Sequence, residues 1–483
     1  MATNTIETDL VVIGAGPGGY AAAFAAADRG IKTVLVDADE RPGGVCLNRG
    51  CIPSKTLLHA ARIIAETHEA KAMGLTFGEP KIDLDALRKW KNDVIAKNAN
   101  GVRQLAKSRG VQIVRAWARF ENSTTLLLSS QPGGEPDQGR LTYRHAILAT
   151  GSLPARIPAF DIGSPRVIDS TGALDLPDIP KSLLVIGGGY IGLEMGTVYA
   201  ALGSEVTVVE MTDGLLPGAD RDLVRVLANR LKKDFKNIYL STKVTRLEDT
   251  LKSVRVHFEK ADNATGSAPP PTEFDRVLVA VGRTPNSKNL GLENTRVKVT
   301  QRGFVEIDNQ CRTADEYILA IGDVAGEPML AHKAHYEAVI AVEVIAGVKG
   351  AAKDARAIPA VVFTDPEIAW AGLTETQAAQ QGIAVEVAKF PWGASGRATA
   401  IGRNDGLTKF IVAPESKRIL GVGIVGVNAG ELIAEGTLAI EMGATAADVG
   451  MTIHAHPTLA ETFMEGAEIA ATGSTTHIYR PPR

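Results

Sequence analysis

Two stretches of the chain repeat one pattern of apolar and polar positions. Residues 9–14 read DLVVIG and residues 183–187 read LLVIG. Each is a short continuous apolar run, the pattern of a strand buried on both faces of a parallel sheet. A glycine-rich turn follows in both copies: Gly14-Ala15-Gly16-Pro17-Gly18-Gly19, and Gly187-Gly188-Gly189-Tyr190-Ile191-Gly192. Each turn opens an apolar helix, and each helix leads to a second strand closed by an acid. The first of these strands is TVLVD, ending at Asp37, and the second is VTVVE, ending at Glu210. The first glycine stands 23 residues before the acid in both copies. The pattern therefore predicts two strand–turn–helix–strand units and an α/β fold.

The spacing of the glycines has a physical reading. The first permits a tight turn, the second lets the backbone approach a pyrophosphate, and the third lets helix and strand pack closely. A diphosphate then rests on free N–H groups at the helix N-terminus, and the acid accepts hydrogen bonds from ribose hydroxyls. A lone glycine motif of this kind is equally often a plain turn. Two copies, each in its full context, predict two bound dinucleotides. Glu210 repels a 2′-phosphate, and Met211-Thr212-Asp213 offers no Arg to receive one, so NAD is favoured over NADP. The bland alternative for Glu210 is an acid that merely ends a strand.

Composition narrows the class. At about 150 residues per domain, 483 residues suggest roughly three domains. Lys and Arg number 52 against 55 Asp and Glu, a net charge of −3, which argues against binding nucleic acid or an anionic membrane through bulk charge. Hydrophobic residues make up 45%, ordinary for a globular protein. The apolar stretch 10–27 resembles a signal peptide only superficially: no Lys or Arg precedes Arg29. No other stretch approaches the roughly 20 apolar residues of a membrane span. The expectation is a cytoplasmic protein in a reducing compartment. Three Cys do not make a disulfide-stapled scaffold.

Two of those three, Cys46 and Cys51, lie in GGVCLNRGCIPSK at 43–55, immediately after the first unit. Three readings compete: two free core thiols, a metal site, or a redox disulfide. A metal site would want more ligands nearby, and His59 is the only candidate. An ideal helix holds residues five apart slightly too far for a disulfide. Gly50 and Pro53 suggest a distorted helix entry that closes the gap, and a helix N-terminus at Cys51 would stabilise its thiolate. Beside a dinucleotide site, the redox pair is the stronger reading.

This segment resembles the active-disulfide segment of the flavin-dependent pyridine-nucleotide disulfide oxidoreductases, in wording most similar to the lipoamide dehydrogenase branch. The resemblance covers nearly the whole chain, through ILATG at 147–151, VGRTPN at 281–286, IGD at 321–323, MLAHKA at 329–334, TDPE at 364–367 and HAHPTLAE at 454–461, in the family's order. It implies two Rossmann-like domains, for FAD and NAD, and a C-terminal α+β dimerisation domain. The boundaries expected are 1–155 for the first part of the FAD domain, 156–284 for NAD, 285–353 for the central second part, and 354–483 for the interface.

By resemblance, FAD is held by Gly14, Gly16, Gly19, Asp37, Thr150, Gly151, Asp323 and Ala331, and NAD by Gly187, Gly189, Gly192, Glu210 and Gly282. Lys55 pairs with Glu194 near the flavin. Cys46 is the outer thiol that exchanges with substrate, and Cys51 the inner thiol that faces the flavin. His456 and Glu461 are the base and its orienting acid, reaching the disulfide from the other subunit of a homodimer. His454 is read as structural and Cys311 as buried and apolar. The implied reaction is oxidation of protein-bound dihydrolipoyl groups with reduction of NAD+. The implied partner is a lipoyl domain or the E2 core of a 2-oxoacid dehydrogenase or related complex. The other enzyme reading is a glutathione reductase-like enzyme, which Glu210 disfavours. The non-enzyme reading is a dinucleotide-binding subunit with dead chemistry, which the retained Cys, Lys, His and Glu set disfavours. The chain departs from its relatives at RAWA (115–118), WGASGR (392–397) and His335-Tyr336. The loops 129–140 and 261–272 are expected on the surface, and the tail from Thr472, ending RPPR, to fray or dock.

Overall fold

The two apolar repeats each become the heart of a parallel sheet. In a computed structural model, which describes residues 5–262 and 265–479, Leu10–Ile13 lies beside Thr33–Asp37 and His145–Leu148. Ile318–Ala320 and Gln112–Arg115 form the two edges of this five-stranded sheet, all strands parallel. Leu10, Val11 and Val12 are fully buried, as a strand covered on both faces requires. Each such side chain contributes about 1.5–3 kcal/mol by leaving water.

The second repeat builds a second five-stranded parallel sheet. Ser182–Ile186 pairs with Glu205–Val209 on one side and Arg276–Val279 on the other, with Asn237–Tyr239 and Val167–Ile168 outermost. This sheet lies wholly within residues 167–279, whereas the first takes an edge strand from Ile318–Ala320. A short ribbon, Ser152–Pro154 against Arg283–Pro285, runs where the chain leaves and re-enters the first region. The third large sheet is antiparallel, in the order Ala360–Val362, Glu367–Gly372, Ile419–Gly426, Leu407–Val412, Glu386–Pro391. The helices Ala429–Glu441 and Glu461–Thr472 belong to this C-terminal region.

A buried lysine ties the second sheet's region to the third. Lys409, 1% exposed, places its ammonium 2.6 Å from Asp220, 2.8 Å from Asp222 and 2.9 Å from Glu375. Burying one charge is tolerable because three carboxylates surround it. These three acids are the one group among the described residues close enough to share a metal ion, and the ammonium already sits among them. The loops 129–140 and 261–272 are largely exposed where described. The tail docks: His477 bonds through Nδ1 to the buried Glu465. The final RPPR, residues 480–483, lies outside the described residues, as do Asn263 and Ala264. Among the described residues no helix is long and apolar enough to cross a membrane.

Candidate active site

The three glycines of each turn do three different things, and a hypothetical Cβ separates them. At the first position, Gly14 and Gly187 have φ of +103° and +110°, and a Cβ would fall 2.3 Å from the Ala149 carbonyl oxygen and 2.4 Å from that of Ala280. At the third, a Cβ on Gly19 would lie 1.7 Å from the Gly14 oxygen, and on Gly192 2.3 Å from the Gly187 oxygen. Both positions are closed by the protein itself. The middle glycines differ: around Gly16 the nearest atom is 4.0 Å away, and around Gly189 nothing lies within 4 Å. Protein atoms leave that space free, and a diphosphate fits where a side chain would stand.

The closing acids have a role that sequence reasoning missed. Asp37 accepts from the N–H of Ala15 and of Asp39. Glu210 accepts from the N–H of Gly188 at 2.6 Å and of Thr212 at 2.8 Å. In both copies one carboxylate oxygen therefore grips the turn and the other grips the residue two places beyond the acid. Burial pushes the Asp37 carboxyl up, against the pull of its two N–H donors.

A cavity of about 320 Å³ runs along the first turn. Of the expected residues, Gly14, Gly16, Asp37, Cys46, Cys51, Lys55, Thr150, Gly151, Glu194, Asp323 and Ala331 line it. Gly19 lies behind the turn. Gly187, Gly189, Gly192, Glu210 and Gly282 stand outside this cavity, on the second sheet's side. Trp117, from the divergent RAWA segment, also lines it.

The cysteines approach one another because the helix breaks between them. Cys46 sits in Gly44–Arg49 and Cys51 begins Cys51–Glu69, with Gly50 at φ −148°, ψ −111° between. A Cβ on Gly50 would meet the Val45 oxygen at 2.9 Å. Both thiols are free, and Cys51 is exposed to the cavity. The neighbouring Cys46 thiol lowers the Cys51 thiol to about 7, burial opposing and the Lys55 ammonium assisting. The same pairing pushes the Cys46 thiol up, together with burial. Cys51 is thus the more acidic sulfur of the pair.

Lys55, one turn after Cys51, reaches across to the second region. Its Nζ lies 3.1 and 2.9 Å from the two oxygens of Glu194, a carboxylate 3% exposed on Tyr190–Ala201. A second tie was not anticipated from sequence. Arg283 Nε donates to Ser152 Oγ at 2.7 Å, and Ser152 Oγ donates to Asp323. Behind them, Glu337 accepts from the Gly322 N–H at 2.8 Å and from Lys333 at 3.2 Å. Asp323 is so fixed on both sides. No local motif marks Ser152 or Glu337: the return of the chain to the first region brings Asp323 to Ser152, and the helix Ala331–Ile345 carries Glu337 back to Gly322.

His456 and Glu461 stand apart from this cavity. His456 Nδ1 bonds to Glu461 Oε1 at 2.8 Å, and Glu461 Oε2 accepts from the Thr458 N–H at 2.8 Å. The imidazole side chain is 79% exposed. Burial raises the Glu461 carboxyl, but the His456 and Thr458 bonds outweigh it and leave it below the usual range. His454 is held at both ring nitrogens, by Thr452 O and Glu435, with its side chain 6% exposed. Cys311 is fully buried.

Comparison with known proteins gives the same outline. The family description "pyridine nucleotide-disulphide oxidoreductase" matches residues 8–338, and that family's "dimerisation domain" matches residues 358–467. A dihydrolipoyl dehydrogenase of Haemophilus influenzae is 48% identical over 468 residues, 97% of this chain and 96% of that protein. One from Geobacillus stearothermophilus is 45% identical over 473 residues, 98% of each. Among solved structures, the copper(II) complex of the HOCl-induced flavoprotein disulfide reductase RclA from Escherichia coli superposes with a TM-score of 0.84. It is 28% identical and covers 96% of this chain and 99% of that one.

Proposed function

The chain belongs to the pyridine nucleotide-disulphide oxidoreductase family, as an enzyme whose cofactors are FAD and NAD, and from that premise we propose that it oxidises protein-bound dihydrolipoyl groups and delivers the electrons to NAD+. Its fold is α/β, two dinucleotide-binding domains followed by a dimerisation domain, and the last supports a homodimer. The observation that carries the proposal is the Cys46–Cys51 pair, lying on the wall of the cavity that the first glycine turn lines. The domain division runs 1–155, 156–284, 285–353 and 354–483. In its support, the second sheet lies within 167–279 and the strand Ile318–Ala320 returns to the first.

In the reaction a dihydrolipoyl thiolate attacks Cys46 of the disulfide. The Cys46–Cys51 bond breaks, and Cys51 leaves as thiolate. The second substrate thiol then attacks the sulfur joined to Cys46, releasing the cyclic disulfide and a reduced pair. The Lys55 ammonium, which favours the Cys51 thiolate, suits that sulfur to leave. His456 of the partner subunit takes the substrate thiol's proton, with Glu461 orienting the ring as carboxylates do in other His–carboxylate pairs. The chemistry FAD would supply when bound is two-electron acceptance from the dithiol and hydride donation to NAD+. Lys55, fixed by Glu194, keeps a positive charge beside the sulfurs. Asp323, gripped by Ser152, and Asp37 would hold the ribityl and ribose ends of FAD. Gly187, Gly189, Gly192 and Gly282 would let NAD approach, and Glu210 would receive its ribose hydroxyls. The reducing partner is a lipoyl domain or an E2 core of a 2-oxoacid dehydrogenase or related complex, met in the cytoplasm.

An assay pairing NADH or NADPH with lipoamide or oxidised glutathione tests the reading. The NADH and lipoamide pair should be fastest; preference for NADPH and glutathione would overturn it. His456→Gln should slow lipoamide turnover by about 10²–10⁴-fold, while electron transfer from NADH to an artificial acceptor survives. An equal fall in both would remove the base assignment.

A further inference from the structure

The Lys55–Glu194 pair joins the first two regions, yet a residue of the third completes it. Phe363 comes directly after the strand Ala360–Val362, inside the segment matched as a dimerisation domain. Its backbone N–H donates to Glu194 Oε1 at 3.1 Å. Its ring lies under the Lys55 ammonium, 4.4 Å from nitrogen to centroid. One residue therefore holds both partners: the carboxylate by an amide, the ammonium by the negative face of a π-system. The ring has little freedom to leave. It packs against the second region's core, and the next residues are pinned, Thr364 Oγ1 donating to Pro366 O at 2.8 Å and Arg403 pairing with Asp365. Lys55 has a long flexible stem, and a carboxylate alone would accept its ammonium in several geometries. Ring and amide together select one.

We propose that Phe363 is a positioning residue of the dithiol site, fixing the Lys55–Glu194 pair and so the ammonium that lies beside the cysteines. The dimerisation segment then acts on the reactive sulfurs from within its own chain, apart from any contribution across a dimer. The inference rests on Cys46 and Cys51 being the redox pair, and it does not require dihydrolipoyl groups to be the substrate. Cys51 is faced by Cys46 from the preceding helix, Lys55 on its own helix, Glu194 and Tyr190 from Tyr190–Ala201, and Tyr20 from Pro17–Ala27. Of these only Lys55 is a cation, and it favours the Cys51 thiolate. Letting it drift should make that thiolate harder to form.

The test uses FAD-loaded protein carrying Cys46→Ser, so that Cys51 is the lone thiol of the cavity. The long-wavelength absorbance of a Cys51 thiolate against bound oxidised flavin is titrated with pH. Adding Phe363→Leu, which keeps the amide and removes the ring, should raise the midpoint by about half a pH unit or more. Phe363→Tyr should restore it. In a Lys55→Met background, Phe363→Leu should move the midpoint no further. An unmoved midpoint with Phe363→Leu, a shift with Phe363→Tyr as large as with Leu, or a full further shift without Lys55 would each overturn the inference. If the Leu variant fails to retain FAD, Phe363→Met takes its place under the same criteria. Absence of any thiolate signal in the Cys46→Ser parent would overturn both this inference and the assignment of the redox pair.

Discussion

The two glycine turns are copies, and the molecule treats them differently. Their inner geometry agrees closely: first glycine at positive φ, third glycine against the first one's carbonyl, middle glycine open, acid clamped to the turn. Even the next contact is shared. Six residues past the acid, the Gly43 N–H donates to Ala15 O in one copy and the Leu216 N–H to Gly188 O in the other. Beyond that point they part. After Gly43 the first copy lays the cysteine-bearing helix across its turn, Gly44 packing so close that a Cβ would fall 2.6 Å from Gly16 Cα. After Leu216 the second copy runs into Arg221–Asp234, which packs on the C-terminal sheet instead. One turn is roofed and its glycines line a cavity with the dithiol; the other reaches that cavity through Tyr190 and Ile191 while its glycines stand outside it. On the proposed assignment of FAD to the first turn and NAD to the second, the contrast matches two demands, a cofactor retained through every turnover and a coenzyme that must leave after each. In this chain the segment that follows each turn, rather than the turn itself, sets the two apart.

The widest break should come from the roofed turn. Gly19→Ala drives a methyl into the Gly14 carbonyl and should yield protein without FAD, or none that folds, read by the flavin-to-protein absorbance ratio. Gly16→Ala is the finer probe, since its methyl meets no protein atom closer than 4.0 Å. Its melting temperature without cofactor should stay within about 2 °C of the parent's, while FAD is lost on dilution or gel filtration. The matching change in the open turn, Gly189→Ala, should leave FAD bound and raise KM for NAD+ by about 10–100-fold, the scale of one to three kcal/mol of lost binding. A variant at Gly189 that sheds FAD would erase the distinction between the sites. The smallest effect is expected at Glu210. Glu210→Gln removes the charge that repels a 2′-phosphate but keeps an acceptor for the Gly188 N–H. The NADH-to-NADPH preference in kcat/KM should fall by about 10-fold, with FAD content unchanged.

Much of the fold was legible because its signals are local. A buried parallel strand needs a continuous apolar run, a turn over a diphosphate needs glycine at fixed offsets, and both requirements were written twice. The break at Gly50 was readable for the same reason, a glycine and a proline around a helix entry. The resemblance supplied what spacing could not, such as the return of Ile318–Ala320 to the first sheet. Three features stayed hidden. Ser152 joins Arg283 to Asp323, Glu337 braces Gly322, and Phe363 meets Lys55 and Glu194. Each depends on segments more than a dozen residues apart arriving at one place, so no periodicity or short motif announces it. The acids Asp37 and Glu210 were singled out, but their grip on their own turns emerged only from the backbone geometry.

The central claim is that electrons enter through Cys46 and Cys51 and leave on NAD. The most direct test is anaerobic: FAD-loaded parent and Cys46→Ser protein are mixed with dihydrolipoamide and NAD+, and NADH is followed together with bound flavin. The account predicts one NADH per dihydrolipoamide in the parent. It predicts a rate at least about 10³-fold lower in Cys46→Ser, with FAD still bound. NADH formation at the parent rate in Cys46→Ser, or in neither protein, would contradict it.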